Sequence, residues 1–385
     1  MFSSTAGRYG VRIAVFYASY FLFSAASSFL PLWLQGRGLS DVAIANVTAI
    51  PLLMRVCLAP VAGIYADRAP SWRFAAITLL APAAVAMFLA WRATGFWSLL
   101  LTTGAASTLW AAALSPADAL ALSGVRRFGL NYGLMRLAGS VGAILANLAI
   151  GALLLLAPSD DIFWFLVFGL VAGTTGAFAL PAIPYQAHPI GPAPKADRGW
   201  RALADAGFLA VLIAGGLVQA SQAVLNSFGS IEWHSQQVTG FGIGVLWAVG
   251  IVSEIAVFAW SRAFVARYGP YRLIVLGTCG AIVLWTGSAL AVGFAANILT
   301  QSLHGLTFAA VFAGTQHMIA RMVPERVTAS AQGLFATIGG LLMAICTSLA
   351  GPIYHHFQGL GFLFMVPLPV AALIILVAYR RLSSV

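Results

Sequence analysis

Charge is what this sequence most lacks. Only 8% of its 385 residues are Asp, Glu, Lys or Arg and 61% are hydrophobic, whereas about 25% of an ordinary soluble domain is charged. A water-soluble globule is excluded. The single lysine, Lys195, follows Pro194, so no Gly-Lys pair exists for a phosphate-binding loop, which argues against an ATP-driven pump. No HExxH or GxSxG stretch occurs either, and a membrane-embedded hydrolase loses its usual signatures. The chain does not read as an enzyme. Cys57, Cys279 and Cys346 lie in separate apolar runs without ligand spacing. They are expected to be small buried hydrophobes rather than a disulfide or metal site, and no metal or cofactor is expected.

What is present is a recurrence of apolar runs of about 20 residues, each matching the roughly 30 Å of hydrocarbon that a helix must cross. Spans are expected near 13–34, 42–64, 73–91, 96–122, 130–156 and 162–183, then near 207–230, 240–262, 272–293, 294–318, 328–351 and 360–379. The fold class is therefore an all-α membrane protein of twelve transmembrane helices. Its formal charge of +10 is distributed between loops in alternation, which points away from nucleic acid. Arg8, Arg12, Arg68, Arg73, Arg126, Arg127, Lys195 to Arg201, Arg262 to Arg272, Arg321, Arg326, Arg380 and Arg381 fall on one side, and only Arg37 and Arg92 on the other. By the positive-inside rule both termini are cytoplasmic. Arg8, Arg12 and the small residues Ala25-Ala26-Ser27 give the first span some features of a signal peptide, but the eleven spans after it argue for a retained helix.

Aligned against itself, the chain repeats at an offset of 199 to 200 residues. Arg55 to Arg73 overlies Glu254 to Arg272, and Tyr132 to Gly151 overlies Gln332 to Gly351, with Gly133, Gly139 and Gly151 on Gly333, Gly339 and Gly351. An offset of six spans preserves direction through the membrane, so the two bundles are parallel repeats about a pseudo-two-fold axis along its normal. Substrate sites in such folds lie between the halves, and the aligned glycines are expected to let helices approach closely. The domains are thus 1–183 and 207–385, each a six-helix bundle, joined by a Pro-rich, charged cytoplasmic linker over 184–206.

GIYADR, Gly63 to Arg68, between the second and third spans, resembles the loop signature of the major facilitator superfamily. SFGSIEWHSQQVTGFGIGVLWAVGIVSEI, QSLHGLTFAAVFAGTQHMIAR and SAQGLFATIGG resemble the phenylpropionate permease subfamily, related to lactose permease and nucleoside:proton symporters. The resemblance covers nearly the whole chain. It implies a secondary transporter working by alternating access, with proton-coupled uptake of a small organic solute: an aromatic acid such as phenylpropionate, or a nucleoside or sugar. It also implies a bacterial inner membrane. Ala69-Pro70 departs from the superfamily loop, and Gln222, Asn226 and Glu232 stand where histidine and tyrosines are expected in span 7. A drug or metabolite exporter working as a proton antiporter is the alternative, and a monomer is expected in either case.

Among the residues that carry chemistry, Glu254 is a lone acid in WAVGIVSEIAVFAW. An ionised acid at a helix centre costs about 2.5–3.5 kcal/mol on insertion scales, so it needs a partner, a proton or a reason. Glu254 is the candidate proton site, with a static arginine partner as the competing reading. Gln301 and His304 open a polar face on span 10, and His304 is a second proton-coupling candidate. Arg55 is the repeat mate of Glu254 and either balances it or takes a substrate carboxylate through its planar donors. Gln219, Gln222 and Asn226 recur at steps of three and four on span 7, and Tyr17, Tyr20, Ser24 and Ser27 form a similar stripe on span 1. In lipid such stripes turn inward, either lining a substrate path or bonding helices together. Trp110 and Trp247 are candidate stacking surfaces for an aromatic ring. Asp118 and Arg136 are expected at equal depth on antiparallel neighbours, as a salt bridge that gates or closes the molecule. Asp67 and Arg68, with His317, are the other gating candidates. His355-His356 is read as a solvated external loop.

Overall fold

The computed structural model describes residues 5–156, 159–182, 202–324 and 327–383. Most of the expected linker over 184–206 lies outside the described residues, which contain no β-strand. In the first half the helices are α1 (Thr5–Ser27), α2 (Leu30–Gly36), α3 (Asp41–Arg68), α4 (Trp72–Leu89), α5 (Phe96–Ala112), α6 (Leu114–Phe128), α7 (Tyr132–Leu153) and α8 (Ile162–Ala179). In the second half they are α9 (Ala206–Ala220), α10 (Ala223–Ser235), α11 (Gly240–Tyr268), α12 (Pro270–Leu290), α13 (Gly293–Ser302), α14 (Val311–Met322), α15 (Thr328–Phe357) and α16 (Pro367–Ser383). Ten stretches of the described residues are long and apolar enough to cross a bilayer. One of these, Ser330–Arg381, holds both α15 and α16, separated by a 3-10 segment at Gln358–Met365. The broken rod over 293–322 completes the twelve spans.

Polar caps fix where several helices begin. Ser40, Ser71, Asn131 and Asp205 accept hydrogen bonds from the backbone N–H groups of Ala43, Phe74, Leu134 and Phe208. Each cap is worth about 1 kcal/mol. Gly129 closes α6 in the left-handed region at φ 65°, a conformation that costs glycine nothing.

The chain divides into two compact units, one of Met1–His188 with Thr239–Ala248 and the other of Pro189–Val238 with Val249–Val385. In the first unit α1 packs against α7 and α8, and α4 against α5 and α8. Small residues make this possible: a methyl on Gly142 would lie 2.6 Å from the Ala18 carbonyl oxygen, and one on Gly169 2.7 Å from the Phe23 backbone. In the second unit α9 packs against α15 and α16, and α12 against α14 and α16. Corresponding spans pair in the same way in the two units.

Four expectations are corrected here. GIYADR is not a loop, because α3 runs on through Arg68 and only Ala69 to Ser71 separate it from α4. Of the aligned glycines, Gly139 sits tightly against Phe21, but beside Gly333 and Gly339 a methyl would meet nothing within 4 Å. The tight approach of α9 to α15 falls instead on Gly216, against Ile338 and Leu342. Cys57 and Cys279 are exposed on helix surfaces and only Cys346 is buried. Sulfur is apolar enough to face lipid, so its hydrophobicity did not specify burial. His355 and His356 end α15 rather than standing in a loop.

Candidate functional site

Three constellations of polar side chains form, one in the first unit and two in the second. In the second unit, α11 carries Glu254 past the break between α13 and α14. A π-helical segment, Leu306–Ala310, occupies that break. Such bulges arise where a helix makes room for an extra residue, frequently at functional sites. Gly305 brings the two rods together, since a methyl there would collide with the Ser253 carbonyl. The Ser253 hydroxyl accepts a 2.7 Å hydrogen bond from the Gly305 N–H. This contact sets His304 Nε2 at 3.1 Å from Glu254 Oε1.

The His304 side chain is 9% exposed and that of Glu254 24%. His304 is therefore shielded while its acid keeps an edge open. With Nε2–H donating to Glu254, a neutral imidazole leaves Nδ1 as an acceptor, and Nδ1 is buried without a hydrogen-bond partner. Nearby Gln301 Oε1 is also buried and unpartnered. A methyl on Gly250 would lie 3.3 Å from Gln301 Oε1 and 3.6 Å from the His304 ring, so the absence of a side chain at 250 makes room for both.

On α9 and α10, Gln219 Nε2 donates to the Phe308 carbonyl within the π segment at 3.2 Å. Gln222 Nε2 donates to Gln219 Oε1 at 3.4 Å. The expected polar stripe thus docks onto the broken span through Gln219, while Asn226 is exposed.

In the first unit, Asp118 Oδ1 accepts hydrogen bonds from Tyr17, at 2.5 Å, and from Tyr132, at 3.2 Å. The salt bridge expected between Asp118 and Arg136 is not formed. Tyr17 intervenes: Arg136 stacks over its ring at 5.0 Å and over Phe21 at 4.3 Å. One guanidinium nitrogen of Arg136, Nη1, is buried without a hydrogen-bond partner. Beside it Tyr20 and Trp110 stack at 4.7 Å. They exchange hydrogen bonds, the Tyr20 hydroxyl donating to the Trp110 carbonyl and the indole N–H to the Tyr20 carbonyl. Tyr20 is buried by this arrangement and Trp110 is the more open ring. Arg55 is exposed on α3.

Other expected site residues are scattered. Trp247 is half-buried on α11, Arg68 is exposed at the end of α3, and His317 is exposed on α14. Asp67 is in α3, with its side chain outside the described residues.

A second buried acid went unassigned. Glu232 is 7% exposed and accepts hydrogen bonds from Tyr354 at 2.9 Å and Gln236 at 2.9 Å. Gln236 in turn accepts from Asn297 at 2.8 Å, and Asn297 accepts from Trp233 at 3.0 Å. Gly359 lets the chain pass directly over the carboxylate. Glu232 stands in the polar stretch SIEWHSQQ at the end of span 7; Trp233 and Gln236 are its neighbours in sequence, whereas Tyr354 and Asn297 come from α15 and α13.

The family model described as "MFS_1 like family" matches residues 11–366. The "Probable 3-phenylpropionic acid transporter" of Escherichia coli (strain K12) is 26% identical over 89% of this chain and 91% of its own. The "Maltose permease" of Geobacillus stearothermophilus is 28% identical over 95% of this chain and 93% of its own. Among solved structures, a point mutant of the nucleoside transporter NupG superposes with a TM-score of 0.84 at 16% identity, over 96% of this chain and 99% of its own. A bacterial homologue of the human lysosomal transporter Spinster, inward-facing and unoccupied, gives 0.73 at 16% identity, over 98% of each chain. These structural likenesses bear on the fold.

Proposed function

The chain belongs to the MFS_1 like family, and from that premise we propose that it is a proton-coupled importer of a small aromatic carboxylate, working by alternating access. That it is a membrane transporter rather than an enzyme follows from family and relatives; the direction, the proton and the solute are the proposal. The observation that carries it is the Glu254–His304 pair, half open at the acid and short of a partner at Nδ1. A carboxyl and an imidazole in contact inside an apolar bundle load and release a proton as water reaches them from alternate sides.

The first unit supports an aromatic anion. Arg136 offers a buried donor nitrogen with nothing bound to it, Arg55 adds a second cation, and Trp110 over Tyr20 provides an aromatic surface. A guanidinium takes a carboxylate through paired donors, and a phenyl ring stacks on indole. Gln219, Gln222, Asn226 and Trp247 are further candidate substrate contacts. Asp118, Arg136, Asp67, Arg68 and His317 are proposed to act in gating. The arginine distribution supports cytoplasmic termini, and the relatives a bacterial inner membrane.

A neutral sugar is the second reading, favoured by the similarity to the maltose permease. The test is accumulation of labelled phenylpropionate, a nucleoside and maltose in right-side-out vesicles under an imposed pH gradient. Phenylpropionate concentrated by an acid exterior is the expected result. Accumulation of maltose alone replaces the substrate, and extrusion driven by the same gradient replaces import with export.

A further inference from the structure

The second unit contains a basic cavity that transport does not use. It has a volume of about 460 Å³ and lies between the start of α12 and the end of α16, lined by Tyr271, Arg272, Val275, Val377, Arg380 and Arg381. Three of the six lining residues are arginines and none is acidic. The wall is organised: the Tyr271 hydroxyl donates to the Leu376 carbonyl at 3.0 Å, and the Arg380 guanidinium sits 5.5 Å over the Tyr271 ring. By the distribution of arginines along the chain this is the cytoplasmic end of both helices.

Below the cavity each helix presents an apolar stripe that ends in one of its arginines. On α12, Arg272 is followed by Leu276, Cys279 and Val283, all exposed. On α16, Val370, Ile374 and Val377 are exposed and lead to Arg381. Both series advance by four, three and four residues, which keeps each on one helix face. Because α12 packs on α16 and both line the cavity, the two stripes run up to one basic pocket.

We infer that this groove binds an anionic glycerophospholipid, its phosphodiester held by Arg272, Arg380 and Arg381 and its acyl chains along the two stripes. Arginine suits this ligand because its planar donors pair with phosphate oxygens, and basic pockets at the cytoplasmic ends of membrane helices favour anionic head groups. Soluble phosphate would use the arginines but leave the stripes without a role.

Cys279 provides a probe within the groove, seven residues or about 10 Å along α12 from Arg272. A single-cysteine carrier (Cys57→Ser, Cys346→Ala) labelled there with bimane is reconstituted with acyl-brominated phosphatidylglycerol or phosphatidylcholine at equal mole fraction. Stronger quenching by the anionic lipid is expected. Its selectivity should fall about fivefold for each of R272Q, R380Q and R381Q, the equivalent of about 1 kcal/mol per arginine. The lysine replacements R272K, R380K and R381K preserve the charge where a glutamine variant fails to fold, and should lose less selectivity than the glutamine variants, because the charge remains while the paired donors are lost. Arg126→Gln with Arg127→Gln, on the other unit, should leave it unchanged. Equal quenching by the two lipids overturns the inference. So does an equal loss in the Arg126/Arg127 control, which would mean diffuse surface charge, or displacement by millimolar inorganic phosphate, which would mean a site for the free ion.

Discussion

Glu254 and Glu232 are both acids of the second unit, yet their surroundings assign them different work. Glu232 is closed in by Tyr354 and Gln236, and the chain crosses it at Gly359. Glu254 has one partner, His304, and an open edge. Removing a partner from a buried polar group strands the other at about 1–3 kcal/mol. Glu232→Ala should therefore lower the unfolding temperature in detergent while leaving the number of protons per solute unchanged. His304→Ala should destabilise by a comparable amount, and Glu254→Gln added to it should recover part of the loss, because the uncompensated charge is gone. Additivity of those two substitutions would mean that the pair does not interact. The lone acid at 254 was legible because charge is so rare in this sequence. Its partner was legible only as one polar position on span 10, since nothing in the sequence encodes the crossing at Gly305 that brings His304 into reach. Tyr132 was overlooked as a ligand of Asp118: a tyrosine at a span's end reads as an interface anchor, and the Asp118–Arg136 bridge was expected in its place.

At the scale of the element, breaks and close approaches organise the site. Span 7 breaks at Ser221-Gln222 without a proline, span 4 breaks at Ala113 just before Pro116, which has no N–H to offer the Ala112 carbonyl, and Pro82 and Pro352 lie inside continuous helices. Helix length and apolar content were readable because the bilayer imposes them. Breaks were not, because neighbouring helices supply the hydrogen bonds that permit them. The Trp285 indole, for example, donates to Ser221 Oγ at 2.8 Å beside one break. Repeat alignment identified glycines by type and could not say which of them meets a neighbour. Gly142→Ala forces a methyl to 2.6 Å from the Ala18 carbonyl oxygen and should destabilise by about 1–3 kcal/mol as α1 is pushed off α7. Gly339→Ala meets nothing within 4 Å and should be neutral or stabilising by up to about 1 kcal/mol, through helix propensity. Thermal unfolding of the two purified variants checks this; equal losses would mean that helix contact does not decide the outcome.

For the whole molecule, the duplicated helix pairing, the family match and the scarcity of charge agree on a membrane transporter. The proposed coupling adds a constraint. A monoanion carried with one proton moves no net charge, so the membrane potential, worth about 2.3 kcal/mol per 100 mV for each charge moved, drops out and only the pH difference drives uptake. The most direct test is proton entry into proteoliposomes that enclose a pH-sensitive dye when phenylpropionate is added outside. The wild-type carrier should acidify the lumen in step with solute entry, unaffected by an imposed potassium diffusion potential, and Glu254→Gln should give no acidification while still exchanging labelled solute. Acidification by Glu254→Gln equal to wild type would contradict the account.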